Sequence, residues 1–116
     1  MLLAVGSGVR ALMILGYPQG ERQSVTSPNE LATVFVGKMV DKPFLGGTVE
    51  FYEIEVIREF PESGHKQRVF YDRYMVNEIG GSADLSDIDE IVEWAPQSQY
   101  VIVTLGIIPV RVQVPI

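Results

Sequence analysis

The sequence predicts a mainly β chain. Five β-like runs lie between residues 31 and 115, a short helical pattern interrupts them between the third and the fourth, and turn formers separate them at close spacing. Three strands, a helix and two strands is the plan of the five-stranded OB-type Greek-key barrel. The second and third strands of that barrel commonly carry oligonucleotides or oligosaccharides. One domain is expected over residues 30–116, preceded by an extension and linker over residues 1–29.

The extension opens with the apolar stretch Met1 to Gly16, which is interrupted by Gly6, Gly8 and Arg10. It is shorter than the roughly 20 apolar residues of a bilayer span. No Lys or Arg precedes Arg10, so it does not read as a secretory signal. A strand, hairpin or short helix packed on the barrel or on another subunit is expected, with no membrane association. Pro18 to Asn29 is polar and rich in Pro, Gly, Ser and Asn, which predicts a loop.

The first strand is expected over Leu31 to Met39, closed by Asp41-Lys42-Pro43. The second covers Thr48 to Ile57, where strict alternation fails. A β-bulge near Phe51-Tyr52 would turn Ile54 and Val56 inward and Glu50, Glu53 and Glu55 outward, because one extra residue switches the facing of all that follow. Phe60 to His65 is a hairpin loop turning at Ser63-Gly64. The third strand, Lys66 to Val76, places Phe70, Tyr74 and Val76 on one face and Val69, Tyr71, Arg73 and Met75 on the other. Ser86 is expected to cap a helix with Ile88, Ile91 and Val92 as its buried stripe and Trp94 as an anchor at its end. Tyr100 to Leu105 and Val110 to Val114 complete the set.

Composition narrows the function. Hydrophobic residues make up 47% and charged residues 21%, as in ordinary globular domains. The absence of cysteine excludes disulfides and thiolate chemistry and fits a reducing compartment, so a cytoplasmic location is expected. Nine basic against fifteen acidic residues give a net charge of −6, which opposes nucleic-acid binding, since that affinity comes largely from phosphate neutralisation. No catalytic motif, cofactor motif or metal-ligand cluster stands out, and neither an enzyme nor a cofactor is expected. Gly6-Ser7-Gly8-Val9-Arg10-Ala11 matches a dinucleotide fingerprint, but that motif needs a βαβ unit, and the downstream hairpins argue against one. His65, the only histidine, reads as an exposed loop residue.

Three segments carry a resemblance. Val36-Gly37-Lys38-Met39 with Pro43, Glu55-Val56-Ile57-Arg58-Glu59-Phe60, and Tyr71-Asp72-Arg73-Tyr74-Met75-Val76 resemble the first three strands of bacterial and mitochondrial single-stranded DNA-binding proteins, and Ile88 to Tyr100 fits that family's helix and fourth strand. The similarity spans roughly residues 30–105 as a pattern with few identities. It implies base stacking at Tyr71 and Phe60, phosphate contacts at Arg73 and Lys38, and a homo-oligomer. The family's long hairpin after the fourth strand, which helps wrap DNA, is reduced here to Gly106-Ile107-Ile108-Pro109, so wrapping of a long strand is not implied. The acidic tail by which that family recruits partner proteins has no counterpart in Val114-Pro115-Ile116.

The candidate nucleic-acid site is therefore Lys38, Phe60, Lys66, Arg68, Tyr71 and Arg73. Stacking there would contribute about 1–3 kcal/mol per base. The structural alternative pairs Lys66, Arg68 and Arg73 across strands with Glu50, Glu53 and Glu55. A second functional expectation is a protein assembly module, of phage or mobile-element type. In it the acidic stretch Asp84, Asp87, Asp89, Glu90 and Glu93 would meet a basic protein partner, unless it is simply a solvated helix face.

Overall fold

Alternating valines and isoleucines build two antiparallel meanders that face each other across one core. A computed structural model describes residues 19–41, 46, 47, 49–80 and 83–115. Strands β1 (Gln19–Thr26), β2 (Ala32–Asp41), β3 (Val49–Phe60) and β4 (His65–Met75) form a four-stranded sheet in that order. Strands β5 (Val92–Trp94), β6 (Tyr100–Leu105) and β7 (Ile108–Gln113) form a three-stranded sheet. Two 3-10 turns, Val76–Ile79 and Leu85–Asp87, and a single helical turn α1 (Ile88–Ile91) connect the sheets. Among the described residues, no helix is long and apolar enough to cross a membrane.

The period of two decides what lies between the sheets. Val34 and Val36 of β2 and Tyr52, Ile54 and Val56 of β3 meet Val101, Val103 and Leu105 of β6 and Val112 of β7, with Ile79 and Leu85 closing the space from the connections. Each such aliphatic side chain contributes about 1.5–3 kcal/mol on leaving water. Polar contacts then fix how the layers meet. The Tyr52 hydroxyl donates to the Ala83 carbonyl at 3.1 Å and accepts from the Ala83 N–H at 2.8 Å. Trp94 Nε1 donates to the Val25 carbonyl of β1 at 3.0 Å, and the Asn29 N–H donates to Ser98 Oγ at 3.0 Å.

The mainly β class is as expected, but the closed five-stranded barrel is not found. The described strands fall into two separate sheets with no ladder between them. Two strands account for the difference. The loop expected over Pro18 to Asn29 is largely β1, which pairs with β2 from Gln19↔Val40 to Thr26↔Thr33. It is an edge strand whose Glu21, Arg22, Gln23 and Ser24 are all exposed, so it carries no apolar alternation. The helix expected to run to Trp94 stops at Ile91, and the chain becomes β5, antiparallel to β6. Ser86 does not cap it. Instead Asp84 accepts from the Ser86 N–H at 3.0 Å and from the Ser86 hydroxyl at 2.7 Å, starting a 3-10 turn.

The bulge also lies elsewhere. Pairing of β3 with β4 shifts between Val56↔Phe70 and Ile57↔Arg68, leaving Val69 of β4 as the extra residue. Phe51 and Tyr52 remain in regular register and are both buried, Tyr52 in the core and Phe51 on the opposite side of the sheet. The apolar segment Met1 to Gly16, with its glycine motif, lies outside the described residues.

Candidate binding face of the four-stranded sheet

One face of the four-stranded sheet covers the core, and the other is not covered by the second sheet. Register places Arg22 of β1, Phe35 and Met39 of β2, Phe51, Glu53, Glu55 and Ile57 of β3, and Arg68, Tyr71, Arg73 and Met75 of β4 on this outer face. The bulge at Val69 shapes it. By simple alternation Arg68 would share the side of Phe70; the extra residue carries it across to the side of Tyr71.

Charge and ring alternate across this face. Glu55, with its side chain 14% exposed, accepts from Arg68 Nε at 2.8 Å and also pairs with Arg22. Arg22 lies 4.4 Å over the Phe35 ring, Arg68 4.6 Å over Tyr71, and Arg73 3.9 Å over Phe51. The Tyr71 hydroxyl donates to Glu53 Oε2 at 2.9 Å. Burial first, and then this bond, push the Tyr71 pKa upward. Lys66 reaches Glu59 at 3.9 Å. Tyr71 and Met75 remain 38% and 39% exposed.

The six residues expected to form one site do not come together. Lys66, Arg68, Tyr71 and Arg73 share the outer face on β4. Lys38 faces the other way, opposite Tyr52, and lies 3.8 Å from Glu50. Phe60 pairs with His65 at the far end of the β3–β4 hairpin; their rings stack with centroids 5.9 Å apart, under Arg58 at 4.7 Å. His65 is exposed, but as the first residue of β4 rather than a loop residue. The expected cross-strand ion pairs hold for Arg68 with Glu55. Arg73 stands opposite Glu53 but lays its guanidinium on Phe51, and Glu50 takes Lys38 instead of a β4 partner.

Neither the family scan, nor the search of curated proteins, nor that of solved structures returned a match.

Sequence reasoning passed over Arg22, Phe35 and Phe51 as members of this face. Arg22 sits in the stretch read as linker. Phe35 follows a legible alternation opposite Val34 and Val36, whereas the bulge expected at Phe51-Tyr52 leaves the side of Phe51 open until the irregularity is placed at Val69 of β4.

Elsewhere, Asp84, Asp87, Asp89, Glu90 and Glu93 are all exposed around α1, consistent with a solvated surface. Hydrogen bonds from the Ser86 hydroxyl and amide hold the Asp84 carboxyl below its usual range. On the core side of β4, burial and then Asp72 raise the Tyr74 pKa to about 12. Among the described residues, no three His, Asp or Glu side chains are placed to hold a metal ion.

Proposed function

We propose that this protein is a non-catalytic assembly module that docks another protein surface on the outer face of its four-stranded sheet. The observation that carries this reading is the make-up of that face. Tyr71 and Met75 expose a ring and a thioether, Phe35 and Met39 lie half-buried beside them, and Phe51 is buried beneath Arg73. The interleaved arginines lie on rings or on glutamates. Aromatic residues, Met and Arg are the types enriched in protein interfaces. Charges that already have partners within the face cost less to cover than charges stripped of water alone.

Single-stranded nucleic acid is the second reading, favoured by the exposed ring of Tyr71 on the same face as Lys66, Arg68 and Arg73. Against it, Arg68 is engaged by Glu55 and Lys66 lies near Glu59, so they offer a phosphate backbone little free positive charge.

The lack of cysteine makes the test direct. A Tyr71→Cys variant carrying a thiol-linked photocrosslinker, illuminated in extract of the source cells, is expected to give a protein adduct that Glu90→Cys does not. Adducts only at position 90 would move the docking site to the acidic segment. Salt-sensitive binding of a thymidine oligonucleotide by the unmodified protein would favour the second reading.

A further inference from the structure

We infer that the partner seated on the outer face is a second copy of this chain, packed face to face about a two-fold axis. This rests on the docking reading above, and the distribution of charge carries it. Among the described residues, four basic ones (Arg22, Lys66, Arg68, Arg73) and four acidic ones (Asp41, Glu53, Glu55, Glu59) lie on the outer face by register, and their charges balance. Elsewhere among the described residues there are eleven acidic side chains against three basic ones, Lys38, Arg58 and Arg111. A basic partner is therefore drawn to the remainder of the surface, not to this face. A partner that is itself acidic meets the least repulsion on the two outer sheet faces, this one and that of the three-stranded sheet, where Arg111 balances Glu93. Of the two, only this one exposes large apolar side chains, Tyr71 and Met75, among the described residues. The chain, at −6, is such a partner, and it presents the matching neutral patch.

The size of the face suits a modest affinity. Four strands about 4.8 Å apart and roughly eight residues long at about 3.3 Å each span about 500 Å² in projection. The accessible area of so uneven a surface is larger, which brings it toward the low end of specific interfaces, about 600–800 Å² per partner. A weak, reversible association is the class of contact that so small a face forms. Its salt dependence has a distinctive sign. Going from about 10 mM to about 150 mM salt shortens the Debye length from about 30 Å to about 8 Å. That removes most of the repulsion between two molecules of charge −6 and tightens the dimer on the order of tenfold. Binding to nucleic acid weakens over the same range.

Sedimentation of the purified full chain at about 10–200 µM, in low and physiological salt, tests this. The expected result is a dimer that tightens with salt, is lost in Tyr71→Asp and in Met75→Asp, and persists in Glu90→Lys. Both aspartate substitutions fall at exposed positions, and circular dichroism verifies that each variant stays folded. A dimer that weakens with salt, or that survives both aspartate variants, overturns the inference. So does a monomer at every concentration. In that case an adduct to a different protein at position 71 leaves the docking reading standing, whereas absence of any adduct removes both.

Discussion

Removing one oxygen atom, in Tyr52→Phe, tests how the layers are held together. Tyr52 is fully buried, and its hydroxyl both donates to and accepts from the backbone of Ala83. That residue lies on the connection between the 3-10 turn ending at Ile79 and the one starting at Leu85. Phenylalanine keeps the ring in the core but strips Ala83 of both partners. A buried polar group left unsatisfied costs about 1–3 kcal/mol. Two groups are affected, but Ala83 is only half-buried, so water recovers part of the loss. The net expectation is about 2 kcal/mol. With an unfolding entropy of about 2.1 cal/mol/K per residue over about 100 residues, this lowers Tm by about 10 °C. Urea unfolding followed by the fluorescence of Trp94, the only tryptophan, reads the change directly. The urea midpoint falls while the m-value stays constant. A change below about 0.5 kcal/mol, the size of an ordinary surface substitution, would refute the claim that this hydroxyl ties the connection to the sheet.

Four further outcomes follow from the same geometry. Gly106 has φ +59°, and a Cβ there would overlap the Ile79 carbonyl oxygen, which accepts from the Ile107 N–H at 3.0 Å; Gly106→Ala should cost at least about 1–3 kcal/mol in thermal or urea unfolding. Trp94→Phe loses the bond to Val25 and should cost about 1 kcal/mol, with faster amide exchange in β1 than in β6. Because the Tyr74 pKa is raised to about 12 from an ordinary value of 10.0, its neutral form favours the folded state; stability from this group is intact below pH 10, falls between pH 10 and about 12, and Tyr74→Phe should flatten that part of the profile. Replacing both Glu53 and Glu55 by Gln removes the two charges that neutralise Arg22 and Arg68, and should create oligonucleotide binding that weakens with salt, with a log–log slope of magnitude about 1–2, against an expected absence of binding by the unmodified protein.

Alternation was readable wherever a strand has one buried face. Residues 70 and 74 against 71, 73 and 75 of β4 sort as the sequence indicates, as do Tyr52, Ile54 and Val56 against Glu53 and Glu55 of β3. What the sequence left open is what depends on partners. A polar edge strand such as β1 is held by backbone bonds to β2, and Arg22 and Ser24 record nothing of that pairing. The three residues of β5 continue an apolar spacing that equally suits a helix, and only the ladder to β6 decides between them. The runs over residues 31–115 suit either one closed barrel or two facing meanders, because closure depends on which edges meet. The candidate site suffered from the same blind spot. Four of its six residues share a face only because the bulge falls at Val69, and Lys38 and Phe60 are left on the other side.

Hydroxyl-radical footprinting across a concentration series tests the docking face most directly. Tyr71, Met75 and Ile107 are the large hydrophobic side chains left exposed among the described residues, at 38%, 39% and 76%. If the outer face is where copies meet, Tyr71 and Met75 lose reactivity together as concentration rises, while Ile107, at the turn between β6 and β7, keeps its own. Equal protection of all three, or none at Tyr71 and Met75 in a sample that has associated, would contradict the account.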